Sequence, residues 1–135
     1  MAPELCVGAV VVDDDRLLLV RRGRGRAQGT WALPGGRVQQ GETLAEAVVR
    51  ELAEETGIEG ACGPLLGIVE HVDAGDAPHQ VVLGYQVSLF DAVDPTAGDD
   101  AAEARWVPLA DVVDLQLAPG IAEFLHDHEV IWTIT

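Results

Sequence analysis

Runs of hydrophobic residues, some continuous and some alternating with polar ones, mark most of the secondary structure that the chain predicts. Residues 5–12 (LCVGAVVV) and 16–22 (RLLLVRR) are rich in Val and Leu and are separated by three aspartates, which predicts two strands joined by a tight turn. Residues 65–72 (LLGIVEHV) and 80–90 (QVVLGYQVSLF) predict two longer strands on either side of a polar loop at 73–79.

The C-terminal third has a weaker pattern. After a polar loop at 91–104 comes a short predicted strand at 105–108 (RWVP), followed by two helical segments at 109–113 (LADVV) and 120–128 (GIAEFLHDH). Residues 130–135 (VIWTIT) predict a closing extended piece. Strands before and after one central helix, with another helix late in the chain, predict an α/β fold built around a mixed sheet.

The central helix has clear start and stop signals. Thr43 followed by Glu46 forms a capping-box pattern, and Gly57 supplies the residue that commonly ends a helix in the left-handed conformation. With 3.6 residues per turn, the apolar positions between them gather on one side of the helix. This predicts a buried stripe made of Ala45, Val48, Val49 and Leu52.

Glu51, Glu54 and Glu55 gather beside this stripe, near the end of the helix. Like charges four residues apart cost about 0.2–0.5 kcal/mol per pair, and acids at a helix C-terminus oppose the helix dipole. Arg50 can pair with Glu54, but one arginine cannot neutralise three carboxylates. Clustered carboxylates are typical ligands of hard divalent cations such as Mg²⁺, so the pattern predicts a cation site. The alternative is a solvated acidic face on a surface helix.

Length and composition fit one soluble globular domain spanning residues 1–135. The chain has 135 residues, of which 48% are hydrophobic, and it has no apolar run of the roughly 18 to 20 residues that a membrane span requires. The first residues lack a basic region before an apolar run and lead directly into a strand pattern, so they do not read as a signal peptide. We therefore expect a cytoplasmic protein.

The charge is strongly negative and unevenly distributed. A net charge of −15 argues against binding to nucleic acid or to anionic membranes. All eight basic residues are arginines, and six of them precede residue 40. Guanidinium groups suit bidentate contacts to phosphate, which makes Arg22, Arg24 and Arg37 candidate phosphate ligands; a surface charge preference without function is the alternative.

The segment around the helix resembles the signature of the Nudix hydrolases. That signature is Gly, five residues, Glu, seven residues, Arg-Glu, an aliphatic residue, any residue, Glu-Glu, any residue, Gly and an aliphatic residue. In this chain the specified positions are occupied, without exception, by Gly36, Glu42, Arg50, Glu51, Leu52, Glu54, Glu55, Gly57 and Ile58. Residues 17–23 (LLLVRRG) and 29–36 (GTWALPGG) before it, and 103–112 (EARWVPLADV) after it, also look like the family's usual flanks.

The resemblance implies an α/β/α sandwich with a mixed β-sheet between helices, and an enzyme that hydrolyses a nucleoside diphosphate linked to another moiety. It implies Mg²⁺ or Mn²⁺ as the cofactor, with Glu51, Glu54 and Glu55 as ligands and the carbonyl of Gly36 as a further one. Arg50 would hold a glutamate in its ligating orientation. Glu42 would support the loop or reach metal-bound water.

The general base is less specified. Glu103, three residues before Trp106 in the polar loop, is placed similarly to the catalytic loop glutamate of several relatives and is the leading candidate outside the signature. Glu54 and Glu55 are alternatives within it. Asp99 and Asp100 are weaker candidates of the same kind as Glu103.

Substrate identity depends on residues outside the signature. The short chain with its Arg-rich N-terminal region is similar to ADP-ribose pyrophosphatases and to MutT-like enzymes, so we expect ADP-ribose or a related nucleoside diphosphate sugar, with (d)NTPs or 8-oxo-dGTP as the alternative. Arg22, Arg24, Arg37 and Glu42 are the candidate substrate contacts. Trp31 or Tyr85 could stack a base, although a core role is the more common one for such strand positions. A hypothesis of another class is a Nudix module that binds a nucleotide without cutting it, and either a monomer or a homodimer is compatible with the sequence.

Overall fold

The computed structural model describes residues 2–25, 27–72 and 78–132. Most of the predicted loop at 73–79 and the end of the predicted segment at 130–135 lie outside these residues. Within them the strands are β1 (Glu4–Val10), β2 (Val12–Asp13), β3 (Arg16–Arg22), β4 (Trp31–Ala32), β5 (Gly35–Arg37), β6 (Gly60–His71), β7 (Gln80–Leu89) and β8 (Ala101–Pro108). The helices are α1 (Leu44–Thr56) and α2 (Ile121–Asp127), with a 3₁₀ helix at Leu109–Asp114.

The strands form two four-stranded sheets. The first has the order β5-β1-β7-β6, in which β1 and β7 run parallel and the other pairs are antiparallel. In the second, β3 pairs antiparallel with β8 along its length, with β2 at its start and with β4 near its end. The predicted α/β class with mixed β structure is confirmed, and the strands divide between two sheets.

Apolar side chains on both faces of β1 and β3 allow helices to pack on both sides of the sheets. One side of these strands packs on α1, through a cluster that contains Val7, Ala9, Val11, Leu18, Ala47, Val48 and Leu52. The opposite side packs on α2, through a cluster that contains Val10, Leu17, Leu19, Ile121, Phe124 and Leu125. Because successive strand residues point to opposite faces, these two apolar rows place helices on both sides of the β structure, as an α/β/α sandwich requires.

The start and stop of α1 agree with the sequence prediction. The Thr43 hydroxyl accepts from the Glu46 amide at 3.1 Å, and the Glu46 carboxylate accepts from the Thr43 amide at 2.8 Å. Gly57 ends the helix in the left-handed region at φ 72°. The predicted stripe was wrong at Ala45, which is exposed. The buried side is rotated toward Ala47 and includes the acids themselves, as the buried residues of α1 are Ala47, Val48, Glu51, Leu52, Glu55 and Thr56.

The turn between β2 and β3 also forms as predicted. Asp14 and Asp15 occupy it with φ values of 51° and 57°, a conformation that Asp tolerates better than most residues. Among the described residues, neither α-helix has the length and apolarity needed to cross a bilayer.

Candidate active site

Arg50 lies at the centre of a network of carboxylates on and before α1. Its guanidinium donates two hydrogen bonds to Glu42, at 3.0 and 2.7 Å, one to Glu51 at 2.8 Å and one to Glu54 at 3.2 Å. Glu42 also accepts from the amide of Gln39 at 2.7 Å. The Arg50 side chain therefore ties the loop before α1 to the helix and fixes the orientation of two glutamates on it.

The network affects its acids differently. Hydrogen bonds from Arg50 and from the Gln39 amide lower the pKa of Glu42 to about 2. Burial raises the pKa of Glu51, although Arg50 opposes that shift. Burial also raises the pKa of Glu55 to about 7, against the opposing hydrogen bond from the Gly35 amide. The contacts of Glu42 more than offset the cost of its charge, whereas the single contacts to Glu51 from Arg50 and to Glu55 from the Gly35 amide do not offset the effect of burial.

Glu51, Glu54 and Asp99 form a carboxylate cluster. One oxygen from each lies within 4.8 Å of the others. Glu51 is only 8% exposed, so its charge has little water around it, and Glu54 and Asp99 further raise its pKa by repulsion. Asp99, a weaker candidate for the general base in the sequence, is brought into direct proximity with two of the predicted metal-facing glutamates.

The loop at 94–100 places Asp99 there by bonding to the end of α1. The amide of Thr96 donates to the carbonyl of Thr56 at 2.8 Å, and the amide of Gly98 donates to the carbonyl of Glu55 at 3.1 Å. These are carbonyls of the last helical turn, which have no partner within the helix. Asp99 itself has φ 51°, in the left-handed region that costs most residues energy and that occurs often at functional sites.

Gly35 and Gly36 form the wall opposite the carboxylates. The amide of Gly35 donates to the Glu55 carboxylate at 2.7 Å. A Cβ at Gly36 would lie 2.6 Å from the carboxylate of Glu51, so only glycine allows the backbone to approach that group so closely. The Gly35 contact was missed in the sequence, where the Gly-Gly pair was the available signal.

The carboxylates open into a cavity of about 670 Å³. The predicted substrate contacts Arg22, Arg24 and Arg37 all line it, and so do Gly36, Arg50, Glu51, Glu54, Glu55, Asp99 and Asp100. Arg24 pairs with Asp100, and Arg37 lies 3.3 Å from Glu4. Glu42 is not among the lining residues. Its predicted substrate contact therefore has no geometric support, and its carboxylate supports the loop through Arg50 instead.

Glu103 is not in a loop, which corrects the sequence prediction. It lies in β8 opposite Arg21 of β3 and forms an ion pair with that residue at 3.5 Å. In the same ladder Leu17 pairs with Val107, and both belong to the core cluster on the α2 side. Since alternate residues share a face, Glu103 also points to the α2 side, away from α1. Only residues 101–104, the end of the polar segment predicted as a loop, belong to the first half of β8.

Trp31 has the core role rather than a base-stacking one. It is 6% exposed within the cluster on the α2 side, and the guanidinium of Arg105 lies over its ring at 4.7 Å. Tyr85 packs against the cluster on the α1 side. Neither residue lines the cavity.

The donor set fits a hard divalent cation. Its groups are carboxylate oxygens, which Mg²⁺ and Mn²⁺ prefer. A single guanidinium offsets the charges of Glu51 and Glu54, and Asp99 adds another acid within reach. The absence of a side chain at Gly36 lets its backbone lie close to the Glu51 carboxylate.

Comparison with known proteins identifies the family. The NUDIX domain model matches residues 2–128. The ADP-ribose pyrophosphatase of Methanocaldococcus jannaschii is 36% identical over 129 residues, which cover 96% of this chain and 70% of that protein.

Solved structures agree. The MutT NUDIX hydrolase of Burkholderia pseudomallei has a TM-score of 0.81 at 32% identity and covers 93% of this chain and 98% of its own. The NUDIX domain of Shewanella oneidensis NrtR, solved in complex with ADP-ribose, has a TM-score of 0.81 at 28% identity and covers 96% and 88%. With an intact signature, a matching fold and a family model over nearly its whole length, the chain belongs to the Nudix hydrolases and is a Nudix pyrophosphohydrolase.

Proposed function

We propose that the substrate is ADP-ribose or a closely related nucleoside diphosphate sugar, cut at its pyrophosphate bond. Water and ADP-ribose would give AMP and ribose 5-phosphate. The observation that carries this choice is the relation to the archaeal ADP-ribose pyrophosphatase, which extends over 96% of the chain. The ADP-ribose complex of the structurally similar NrtR domain supports the same choice. One domain, spanning residues 1–135, would carry the activity.

The carboxylate cluster is the proposed site of Mg²⁺ or Mn²⁺. Glu51, Glu54 and Asp99 would hold the cation, joined by the carbonyl of Gly36, while Glu55 lies next to them against the Gly35 amide. A cation bound there would neutralise phosphate charge and make water a better nucleophile. This requirement is strong because the protein carries a net charge of −15 and its substrate is also an anion.

The remaining roles follow from the cavity. Arg50 would orient Glu51 and Glu54 rather than touch the substrate, since its donors are already occupied by carboxylates. Arg22, Arg24 and Arg37 line the cavity and would contact phosphate oxygens. Glu54 and Glu55 are the proposed candidates for the base that takes the proton of the attacking water. Glu103 is disfavoured because it lies on the other face of the second sheet.

The second candidate is a MutT-like activity on (d)NTPs or 8-oxo-dGTP. The similarity to the MutT NUDIX hydrolase of B. pseudomallei supports it. Both candidates share the cation, the carboxylates and the pyrophosphate, and they differ in the group beyond the diphosphate. A catalytically silent nucleotide-binding module is the least favoured reading because every glutamate of the signature is present.

A substrate panel tests the proposal. Release of nucleoside monophosphate from ADP-ribose, dGTP, 8-oxo-dGTP and a dinucleoside polyphosphate is measured with Mg²⁺ and with Mn²⁺. We expect the highest kcat/KM for ADP-ribose, and a preference for a triphosphate would replace it with the second candidate. Glu54→Gln should remove most activity, whereas the matched variant Glu46→Gln should retain it, because Glu46 only caps α1 and Gln also serves in a capping box.

A further inference from the structure

Four glycines lie side by side across the first sheet. Gly35 of β5 pairs with Gly8 of β1, Gly8 pairs with Gly84 of β7, and Gly84 pairs with Gly67 of β6. Residues directly opposite each other in neighbouring strands project to the same side of a sheet. The row therefore leaves a track without side chains across all four strands.

Packing explains three of these glycines. A Cβ at Gly35 would collide with the backbone of β1. A Cβ at Gly84 would lie 2.6 Å from the ring of Phe124, and a Cβ at Gly67 would collide with the ring of His128. Those two rings are in contact with each other, with centroids 4.7 Å apart. At these positions the fold itself fills the space where a side chain would be.

Gly8 differs from the other three. A Cβ at this position would meet its nearest neighbours, Leu33 and Val82, at 3.7 to 3.8 Å, which is ordinary van der Waals contact. Its φ is not in the left-handed region. Among the glycines in residues 2–25, 27–72 and 78–132, Gly8 alone has neither a positive φ nor a neighbouring atom within 3.0 Å of the place that a Cβ would take.

Neither the backbone conformation nor a steric clash therefore excludes a methyl group at the centre of β1. Glycine inside a strand is unfavourable, and where packing does not demand it, a common cause is the close approach of a ligand to the backbone. Gly8 lines the same cavity as the carboxylate cluster. Gly8 pairs directly with Gly35 in the neighbouring strand, and paired strands lie about 4.8 Å apart. The amide of Gly35 in turn binds Glu55, so Gly8 is close to the carboxylates.

The side chains nearest to Gly8 are apolar. Leu33 and Val82 flank it, and Ile121 and Phe124 line the same cavity. Both edges of β1 are paired with neighbouring strands, which takes up its backbone hydrogen-bonding groups. A sugar placed here would bury hydroxyl groups without partners, at a cost. A flat aromatic ring would instead bury apolar surface. It could approach the backbone of β1 closely because Gly8 has no side chain.

We propose that Gly8 is a specificity-determining residue that receives the nucleobase ring of the substrate, face down on β1 between Leu33 and Val82. The diphosphate then extends past Gly35 and Gly36 to the carboxylate cluster. The proposal rests on the proposed function in one respect, namely that the substrate is a nucleoside diphosphate derivative. It assigns the base to the part of the cavity over β1 and leaves Arg22, Arg24 and Arg37 to the phosphates.

The test compares ligands that differ by the base alone. Binding of AMP, GMP and ribose 5-phosphate is measured by calorimetry in Mg²⁺ for the wild type, Gly8→Ala and Gly8→Val. The wild type should bind at least one of the nucleotides more tightly than ribose 5-phosphate. Gly8→Val should lower the affinity for that nucleotide about tenfold or more, because its side chain would take the space of the ring. Gly8→Ala should have an intermediate effect, and the affinity for ribose 5-phosphate should not change in either variant.

Gln86→Val is the matched control. Gln86 lies in the neighbouring strand β7, is exposed and does not line the cavity, so its substitution should leave all three affinities unchanged. Gly8→Ala keeps the test valid if Gly8→Val fails to fold, because its methyl group makes only ordinary van der Waals contacts. Melting temperatures show whether each variant is folded.

The outcomes separate this proposal from the proposed function. Equal affinity of the wild type for nucleotides and ribose 5-phosphate, an unchanged preference in both Gly8 variants, or a selective loss of ribose 5-phosphate would each overturn the assignment of the base to Gly8. If the wild type hydrolyses no member of the substrate panel yet Gly8→Val removes the nucleotide preference, the base site stands and the proposed reaction is wrong. If the wild type hydrolyses ADP-ribose and both Gly8 variants keep the preference for nucleotides over ribose 5-phosphate, the proposed reaction stands and the base site is wrong.

Discussion

The backbone amide of Gly98 donates a hydrogen bond to the carbonyl oxygen of Glu55, 3.1 Å away. This bond joins the loop at 94–100 to the last turn of α1, about 40 residues earlier in the chain, which carries the signature glutamates. A Cβ at Gly98 would collide with the carbonyl of Glu54, so the approach is as close as a backbone permits. Asp99 follows directly and lies against Glu51 and Glu54.

We predict that Asp99→Asn weakens cation binding and lowers kcat. The substitution keeps the shape of the side chain but removes one of the three carboxylates in the cluster. Loss of a group that holds or orients a metal ligand typically costs about 10- to 100-fold in metal affinity or activity. Steady-state kinetics over a Mg²⁺ titration measures both effects.

Asp100→Asn is the neighbouring control for Asp99. Asp100 pairs with Arg24, whose side chain is 77% exposed, and exposed ion pairs contribute little. Its substitution should change the Mg²⁺ dependence much less than Asp99→Asn does. Equal effects of the two variants would mean that the loop tolerates no change of charge and that Asp99 has no special part in the cluster.

Arg50→Lys should destabilise the protein as well as impair catalysis. Lysine keeps the charge but cannot bond Glu42 through two nitrogens while also reaching Glu51 and Glu54. Glu51 would then be left buried with a lost partner, which costs about 1–3 kcal/mol. Urea unfolding in a chelating buffer measures the change in the free energy of unfolding without interference from metal.

Arg24→Lys is the stability control for Arg50. Its guanidinium pairs with one exposed carboxylate, so the free energy of unfolding should change by less than about 0.5 kcal/mol. A loss as large as that of Arg50→Lys would show that any arginine on this face matters equally and that the Arg50 network is not the cause.

The helix could be predicted from the sequence because its determinants are local. The Thr43–Glu46 capping box and the Gly57 stop depend on residues three or four positions apart, and the signature fixes the order of the glutamates. The prediction that Ala45 is buried was wrong because burial depends on how the helix axis lies over the sheet. The periodicity of apolar residues does not specify that orientation when acids occupy part of the buried side.

The general-base candidates show why the rest of the site was harder to predict. Asp99 and Glu103 are four residues apart in the same polar stretch, and composition does not separate them. The structure does so through long-range contacts, since the loop before Asp99 bonds to α1 whereas Glu103 is in register with Arg21 in β3. Strand pairing of this kind joins residues about 80 positions apart and leaves no local signal.

We predict that Mg²⁺ and Mn²⁺ stabilise the fold by offsetting the repulsion among Glu51, Glu54 and Asp99. By binding linkage, a cation at a hundred times its Kd adds about 2.7 kcal/mol to the free energy of unfolding. Thermal unfolding with and without millimolar Mg²⁺ measures the shift in Tm. The shift should shrink in Glu54→Gln and persist in Glu46→Gln, and a Tm indifferent to both cations in an active enzyme would contradict the charge argument.

The last prediction concerns pH in the metal-free protein. The pKa of Glu55 is about 7 in the folded state against an ordinary value of 4.5, so between these values the folded state holds a proton that the unfolded state has lost. The free energy of unfolding should therefore fall as pH rises from about 4.5 to about 7, by up to about 3 kcal/mol at 1.36 kcal/mol per unit. Urea unfolding at several pH values in a chelating buffer measures this slope.

Glu55→Gln isolates the contribution of this carboxyl. Its amide oxygen still accepts from Gly35, but the ionisable group is gone, so the difference from the wild type should be small near pH 4.5 and should favour the variant near pH 8. Glu42 acts with the opposite sign and at lower pH, because its pKa of about 2 makes its stabilisation complete above 4.5 and lost as pH falls toward 2. Since Glu42 is present in both proteins, it cancels in the difference. Parallel pH profiles for the two proteins would mean that Glu55 is solvated as an ordinary carboxylate, whereas profiles that diverge without metal and converge in Mg²⁺ would tie its buried charge to cation binding.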